Sequence, residues 1–227
     1  MSTDPRRETT PEIPGPLEAT YERGQKKYGS VAVSAQAVRE VIGADALRRI
    51  LHHVFVGRGG SPGPSAEFVL GYHDYAQIHR GIRELYGQAS HGILNRIGRI
   101  TFRHFVEEQV NQMAAISIAL RLMPIRARKI FILRVVARSM SGDNHHDSVF
   151  LREDEGRLAV VDTNGLACHG VSSDEPICWH TVGFLEESLQ WATGREFKVE
   201  ETSCRAKGDP TCTFAIAREP SPPLNLA

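Results

Sequence analysis

The sequence is poor in cysteine, carries no net charge and has no long apolar run. Its 227 residues include four cysteines, and 27 Lys and Arg residues balance 27 Asp and Glu residues. A neutral chain argues against a dedicated surface for nucleic acid or anionic membranes, so we expect neither as a partner. No apolar stretch approaches the ~18 residues that a membrane-spanning helix needs. We therefore expect a soluble protein without a membrane span.

Familiar targeting and cofactor motifs are also missing. Residues 1–30 are polar and lack the apolar core of a secretory signal, so we expect a cytoplasmic protein in a reducing compartment. The glycine-rich run at 57–64 lacks the Gly-Lys-Ser/Thr ending of a phosphate-binding loop. Without a Rossmann fingerprint or a flavin motif, we expect no hydride transfer by this chain alone. Residue spacing identifies no catalytic residues.

Three cysteines and a glutamate gather near the C-terminal end of this cysteine-poor chain. They are Cys178, Glu201, Cys204 and Cys212, and together they could complete a tetrahedral zinc shell. Two alternating segments, 196–203 and 211–217, read as strands joined by a turn at 206–210. The resulting hairpin would set Cys204 roughly opposite Cys212.

Cys178 is predicted to begin a helix. It follows Asp174, Glu175 and Pro176, which together are typical of a helix start, and an apolar pattern of helical spacing then runs to Gly194. The positive end of a helix dipole lowers a thiol's pKa towards the metal-binding thiolate. The remaining ligand would therefore come from a helix N-terminus.

Other readings of the cysteines stay open. Facing strand cysteines could form a disulfide, although a reducing compartment disfavours it, and buried thiols can be inert core residues. The paired Cys-x2-Cys of many zinc sites is missing. We interpret Cys168 as a small buried residue, with a spare ligand or a redox thiol as alternatives.

The remaining patterns predict helices packed on an antiparallel sheet, an α+β fold. We expect one domain over 31–217, with a flexible arm at 1–30 and a flexible tail at 218–227. The predicted elements are a helix ending at Gly43, a second helix from Asp45, a strand at 65–72, a helix at 75–87, continuous helix from His91 to Leu122, a helix from Ile130 to Ser141, and a hairpin of 147–152 with 157–162.

The run from Val199 to Ile216 resembles the closing signature of the 4-vinyl reductase domain family. That signature, Glu-x2-Cys-x-Ala-x-Gly-Asp-x2-Cys-x-Phe, is matched here from Glu201 to Phe214. Upstream, Pro176-Ile177-Cys178 resembles the start of the preceding family helix, and Gly92 to Arg99 resembles an earlier one. The resemblance covers roughly residues 85–217.

In zinc-binding relatives, the sensor domains of aromatic-responsive regulators, Cys, Glu, Cys and Cys hold the metal. The resemblance therefore implies Zn²⁺ bound by Cys178, Glu201, Cys204 and Cys212. Four protein ligands leave no position for activated water, so the ion would be structural. Three thiolates and a carboxylate leave a charge of −2, which Arg205, Lys207 or backbone N–H groups would offset.

The family also implies the architecture of trafficking-particle components and nitric-oxide sensors, with hydrophobic small molecules bound between helices and sheet. Our first functional hypothesis is a carrier or accessory protein for a hydrophobic or tetrapyrrole ligand, acting in the 4-vinyl reduction of bacteriochlorophyll biosynthesis. The second is a ligand sensor or adaptor that regulates a separate partner, and the third is a dimerising scaffold. Relatives commonly dimerise, so a homodimer is expected.

Overall fold

The computed structural model describes residues 30–56, 72–141 and 148–222. The helices are α1 (Ser30–Val56), α2 (Tyr72–Tyr86), α3 (Ser90–Glu108), α4 (Val110–Arg121), α5 (Ile125–Ser141) and α6 (Trp179–Thr193). The strands are β1 (Val149–Asp154), β2 (Arg157–Asp162), β3 (Val199–Ser203) and β4 (Cys212–Ile216). Several segments with predictions lie outside the described residues. They are the arm up to residue 29, the glycine-rich run at 57–64, the predicted strand as far as residue 71, and the tail from residue 223 to 227.

The four strands form one antiparallel sheet in the order β1-β2-β4-β3. Both predicted hairpins are confirmed, and they join because Val160 of β2 pairs with Phe214 of β4. Between Glu201 and Ser203 the pairing of β3 with β4 shifts register, just before the chain leaves the strand at Cys204. The predicted α+β class, with helices packed on an antiparallel sheet, is confirmed.

Two glycines bring the backbones of α3 and α6 into contact. A Cβ at Gly98 would lie 2.0 Å from the carbonyl oxygen of His180, and one at Gly183 would lie 1.9 Å from that of Asn95. Neither position has room for a side chain, because the opposing atom belongs to rigid helical backbone. The crossing therefore fixes the start of α6, where Cys178 lies.

Charged side chains flank this crossing. Arg99 of α3 donates a hydrogen bond to Glu186 of α6 at 2.7 Å, and Arg103 donates one to Glu187 at the same distance. Charge-assisted bonds of this kind add orientation to the contact that the glycines allow. They hold α6 in register along α3.

The predicted helices are present, but α2 begins at Tyr72 instead of residue 75, α5 begins at Ile125 instead of Ile130, and one long predicted helix is divided. Within α1 the backbone leaves helical geometry at Gly43, with φ 81° and ψ 161°, as the predicted break requires. The prediction of continuous helix from His91 to Leu122 is wrong, because Gln109 has φ −113° and ψ 35° and separates α3 from α4. Beyond the break, Met113 and Leu120 of α4 still pack in the core. Among the described residues, no helix combines the length and apolarity that crossing a membrane requires.

Candidate metal centre

Four cysteine sulfurs meet where α6 approaches the sheet. Cys168 ends a helical turn after β2, Cys178 caps the start of α6, Cys204 follows β3, and Cys212 opens β4. All four residues are buried free thiols, and their Sγ atoms lie within 4.8 Å of one another. The sulfur of Cys212 is 3.5 Å from that of Cys168 and 3.8 Å from that of Cys178. These separations are much longer than a disulfide bond of about 2.05 Å.

The spacing fits a divalent metal. A zinc–sulfur bond of about 2.3 Å in tetrahedral geometry separates neighbouring sulfurs by about 3.8 Å. The Sγ atoms of Cys178 and Cys204 are 3.9 Å apart, close to that value. The four cysteines could therefore hold a metal ion.

The loop that carries Cys168 is shaped by the residue that ends β2. The Asp162 carboxylate accepts the backbone N–H groups of Asn164 at 2.8 Å and Gly165 at 2.9 Å. Gly165 has φ 62°, and a Cβ there would lie 3.0 Å from the Cys168 sulfur and 2.6 Å from the side chain of Arg205. A glycine is needed here both for the backbone angle and for space.

The β3–β4 turn accounts for the Gly-Asp pair of the signature. Gly208 has φ 93°, which reverses the chain, and the Asp209 carboxylate accepts the Cys204 N–H at 2.7 Å. The backbone N–H of Arg205 donates to the Cys212 sulfur at 3.4 Å, and its guanidinium donates to the Pro210 carbonyl at 2.7 Å. The turn therefore places the sulfurs of Cys204 and Cys212 on the same side, and its Arg205 N–H donates a hydrogen bond to the Cys212 sulfur.

Glu201 lies beside the cysteines with one oxygen already engaged. Its Oε2 accepts the backbone N–H of Cys178 at 2.8 Å, whereas its buried Oε1 has no hydrogen-bond partner among the described residues. Burial raises the pKa of Glu201 to about 8. Glu201 is not a member of the group of mutually close ligand atoms, which the four cysteines form.

The four predicted ligands are thus neighbours, and their role as ligands stays a prediction. Sequence reasoning missed the position of Cys168, which is buried as expected but lies within the cluster. The feature of the sequence that could have indicated it is the distribution of cysteine, since all four cysteines of the chain fall after residue 167. Sequence spacing could not reveal that the loop after β2 returns to the start of α6.

Contacts among the thiols of this cluster shift their pKa values in different directions. Hydrogen bonds to Cys168 and Cys178 lower the pKa of Cys204. The pKa values of Cys178 and Cys212 are raised, and in both cases the hydrogen bond to Cys168 is the largest cause. Burial lowers the pKa of the Arg83 guanidinium, and the nearby Cys178 and Cys204 act in the opposite direction. Four buried thiolates repel one another, so a bound cation would favour their joint deprotonation.

A second polar cluster lies inside the helical layer. The Tyr75 hydroxyl lies 2.5 Å from Nδ1 of His180, and the Thr101 hydroxyl lies 3.0 Å from Nε2 of the same ring. Thr101 donates its proton to the carbonyl of Ile97, so it accepts from His180, and Tyr75 then donates to the other nitrogen. This assignment satisfies His180 as a neutral imidazole.

The neighbouring His79 differs from His180 because its ring nitrogens lack hydrogen-bond partners among the described residues. It is 2% exposed, its ring centroid lies 4.1 Å from that of Tyr75 and 5.1 Å from that of His180, and neither ring nitrogen has a hydrogen-bond partner among the described residues. Burial lowers its pKa well below the usual value, with His180 and Arg83 acting in the same direction. Within the described part of the chain, a neutral imidazole with two unmet hydrogen-bonding atoms therefore lies on α2 beside His180 of α6.

The cysteine-bearing part of the chain also matches a known domain. Residues 162–218 match the family model of the 4-vinyl reductase domain. This segment is therefore similar to that domain. The resemblance predicted from the signature between Glu201 and Phe214 is confirmed, and the matched segment runs from the last residue of β2 to just beyond β4.

Two curated relatives extend the comparison beyond the matched segment. The bacteriochlorophyll synthase 23 kDa chain of Cereibacter sphaeroides is 29% identical over 167 residues, which cover 68% of this chain and 73% of that one. An uncharacterized protein of Methanocaldococcus jannaschii is 35% identical over 89 residues, or 34% of this chain. The chain spans 39% of the length of this archaeal relative.

Solved H-NOX structures share the fold. An H-NOX protein from S. oneidensis in the Fe(II)NO ligation state aligns with a TM-score of 0.52 at 10% identity, covering 84% of this chain and 99% of that one. A structure from work on heme distortion in the H-NOX family aligns with a TM-score of 0.54 at 14% identity, covering 86% and 97%. The nitric-oxide-sensor architecture implied by the sequence is therefore confirmed.

Proposed function

We propose that this protein is a zinc-stabilised binding domain for a hydrophobic or tetrapyrrole small molecule. Buried His79 is the observation that carries the proposal. Two unpaired nitrogens in an aromatic interior cost folding free energy, on the order of 1–3 kcal/mol for each unsatisfied group. A ligand with a polar group at this point would supply the missing partner, and Tyr75, whose ring centroid lies 4.1 Å from that of His79, would contact its hydrophobic part.

The comparisons favour a tetrapyrrole. One relative is named as a bacteriochlorophyll synthase chain, and the fold is shared with H-NOX proteins, a family whose structural studies include heme distortion. We propose a carrier or accessory role in the 4-vinyl reduction of bacteriochlorophyll biosynthesis. The chain would bind and present the pigment, and a separate reductase would supply the hydride.

The proposed zinc is structural. It would be held by Cys178, Cys204 and Cys212 together with Glu201 or Cys168, and all five side chains lie at one junction of α6 with the sheet. A fully ligated zinc ion stabilises a fold by joining distant segments and provides no open position for catalysis. Here it would tie the α6 N-terminus, and thus the His180 cluster, to the β3–β4 hairpin.

Binding can be tested with divinyl chlorophyllide and, separately, heme. Each is titrated into purified protein while fluorescence from the two tryptophans, Trp179 and Trp191, is recorded. We expect saturable quenching by at least one tetrapyrrole and at least ~10-fold weaker binding by His79→Phe, because one hydrogen bond is worth about 1.4 kcal/mol in such a comparison.

The exposed His52 provides a matched control, since His52→Phe should bind as wild type does. Native mass spectrometry of protein from its source organism would show which molecule is retained. A wild-type protein that binds neither tetrapyrrole would contradict the ligand class. Equal binding by His79→Phe would contradict the assigned position.

The alternative function is a ligand sensor or adaptor that regulates a separate protein. The shared fold with H-NOX proteins, which the family resemblance associates with nitric-oxide sensing, favours this alternative. A pull-down with and without the bound tetrapyrrole distinguishes the two roles. Ligand-dependent partner association supports the sensor, whereas a carrier needs no such dependence.

We also propose a cytoplasmic homodimer that pairs through α4. Three of the five large apolar side chains that are exposed among the described residues lie along this helix or directly after it: Val110, Ile118 and Leu122. Ala114 on the same exposed side permits close approach of a second helix. An antiparallel second copy would place the acidic end before α4 beside the basic end of its partner, since Glu108 precedes the helix and Arg121 ends it.

A further inference from the structure

We infer that the metal shell of this chain consists of four thiolates, with Cys168 in the place that the family resemblance gives to Glu201. The inference rests on the proposed zinc clamp and specifies its ligands. It departs from the three-cysteine, one-glutamate set that the sequence implies.

The first support is the position of the Cys168 sulfur. It lies 3.5 Å from the Cys212 sulfur and belongs to a set in which every pair of sulfurs is within 4.8 Å. In a zinc tetrathiolate each sulfur lies about 3.8 Å from the other three, so the observed set needs only small side-chain adjustments to close on an ion.

The second support is the loop that delivers Cys168. The Asp162 carboxylate accepts two consecutive backbone N–H groups, and Gly165 takes a left-handed conformation immediately before the turn that ends at Cys168. The Arg205 side chain, from the opposite β3–β4 turn, packs against Gly165. These contacts fix the loop that places this thiol in the cluster.

The third support is the different task of Glu201. Its Oε2 already accepts the N–H of Cys178 at the start of α6. A carboxylate in this place orients the residue that supplies a ligand sulfur, as groups outside a metal shell commonly do. Glu201 is therefore a positioning residue for Cys178.

A four-thiolate shell changes what the metal connects. With Glu201 as fourth ligand, the ion would join α6 to β3 and β4 alone. With Cys168, it also joins the loop that follows β2, a central strand of the sheet. Metal binding then links both hairpins to the helical layer through one ion.

The decisive experiment is zinc X-ray absorption on the full chain, purified under reducing conditions and loaded with one equivalent of zinc. We expect four sulfur neighbours at about 2.3 Å and no oxygen neighbour. Three sulfurs and one oxygen in the wild type would overturn the inference and leave the zinc clamp intact. Failure to retain stoichiometric zinc would instead contradict the clamp itself.

Two matched variants separate ligand from positioning residue. Cys168→Ser should reduce the sulfur count to three and weaken zinc affinity at least ~100-fold. Glu201→Gln should keep all four sulfurs and lose about 10- to 100-fold in affinity, as expected for a partner outside the shell. The opposite pattern, with sulfur number unchanged in Cys168→Ser, would contradict the inference. The wild-type spectrum decides the question even where a variant does not fold.

Discussion

At the residue scale, buried His79 has a consequence for stability that can be measured separately from the proposed ligand binding. The folded protein keeps its imidazole neutral because burial, His180 and Arg83 all lower its pKa. An unfolded histidine has a pKa of about 6.5, so below that pH the unfolded chain takes up a proton that the folded chain does not. Stability from this group is therefore present above about pH 6.5 and is lost as the pH falls.

The His79→Phe variant makes this contribution measurable. From about pH 7.5 to about pH 5.5 the wild type should lose about 1.4 kcal/mol more unfolding free energy than the variant, which is the cost of one histidine that stays neutral one unit below its normal pKa. Urea denaturation of both ligand-free proteins at each pH gives the difference. The groups that face the ring, namely Tyr75, Arg83 and His180, are common to both proteins. Parallel pH profiles would show that His79 titrates normally in the folded state.

The same substitution distinguishes a binding residue from a structural one. If His79 exists to meet a ligand, removal of its unpaired nitrogens should leave the ligand-free protein at least as stable at about pH 7.5. If the ring were held by structural hydrogen bonds, the variant would be less stable at that pH. A gain or no change in stability together with weaker tetrapyrrole binding is therefore the expected combination.

At the element scale, the α3–α6 crossing positions both the cysteine cluster and the polar cluster around His180. Cys178 and His180 lie at the start of α6, and the backbone contact at Gly98 involves the carbonyl of His180 itself. Small movements of α6 would therefore displace the Cys178 sulfur and the centre of the Tyr75–His180–Thr101 network together.

Gly98→Ala tests this crossing. Its Cβ would meet the His180 carbonyl oxygen at 2.0 Å, so the helices must separate, and we expect a loss of at least ~2 kcal/mol in unfolding free energy. Gly92 on the same helix is the matched control, because a Cβ added there would have no neighbouring atom within 4 Å. Gly92→Ala should be neutral or stabilise by up to ~1 kcal/mol through helix propensity.

Chemical denaturation of the two variants gives the comparison, and zinc affinity provides a second readout. Weaker zinc binding by Gly98→Ala alone would show that the crossing positions Cys178. Equal stability of the two variants would mean that α3 and α6 do not pack as closely as their backbones indicate.

At the scale of the whole molecule, α4 is the described helix with most exposed apolar side chains. No charged residue occurs between Val110 and Leu120, and the helix has apolar side chains on its exposed side as well as towards the core. A helix that is apolar on several sides is usually covered. In the proposed dimer, a second copy would cover it while pairing the acidic and basic ends.

Ile118→Glu should convert the proposed dimer to a monomer, because a buried carboxylate would lie at the centre of the α4 pair. Sedimentation velocity of the full chain over a range of concentrations measures the change. Leu85→Glu, at an exposed apolar position on α2, is the control and should leave the dimer intact. A monomeric wild type, or a dimer that persists in Ile118→Glu, would contradict pairing through α4.

The sequence by itself determined the local units of the candidate site. Alternating residues and turn chemistry around Gly208 define the β3–β4 hairpin, and Cys178 with the stop at Gly194 defines α6. These units depend on neighbouring residues, whose periodicity can be read along the chain. The signature from Glu201 to Phe214 also indicated the family, because every residue that it specifies belongs to this one local hairpin.

Only the tertiary structure decided which side chains meet across these units. Cys168 joins the sulfur cluster because β2 pairs with β4, and Glu201 turns to the Cys178 N–H because α6 docks above the hairpin. His79 and His180 become neighbours although 101 positions separate them in the chain. Such contacts depend on how whole elements pack, and no local period or propensity encodes that packing.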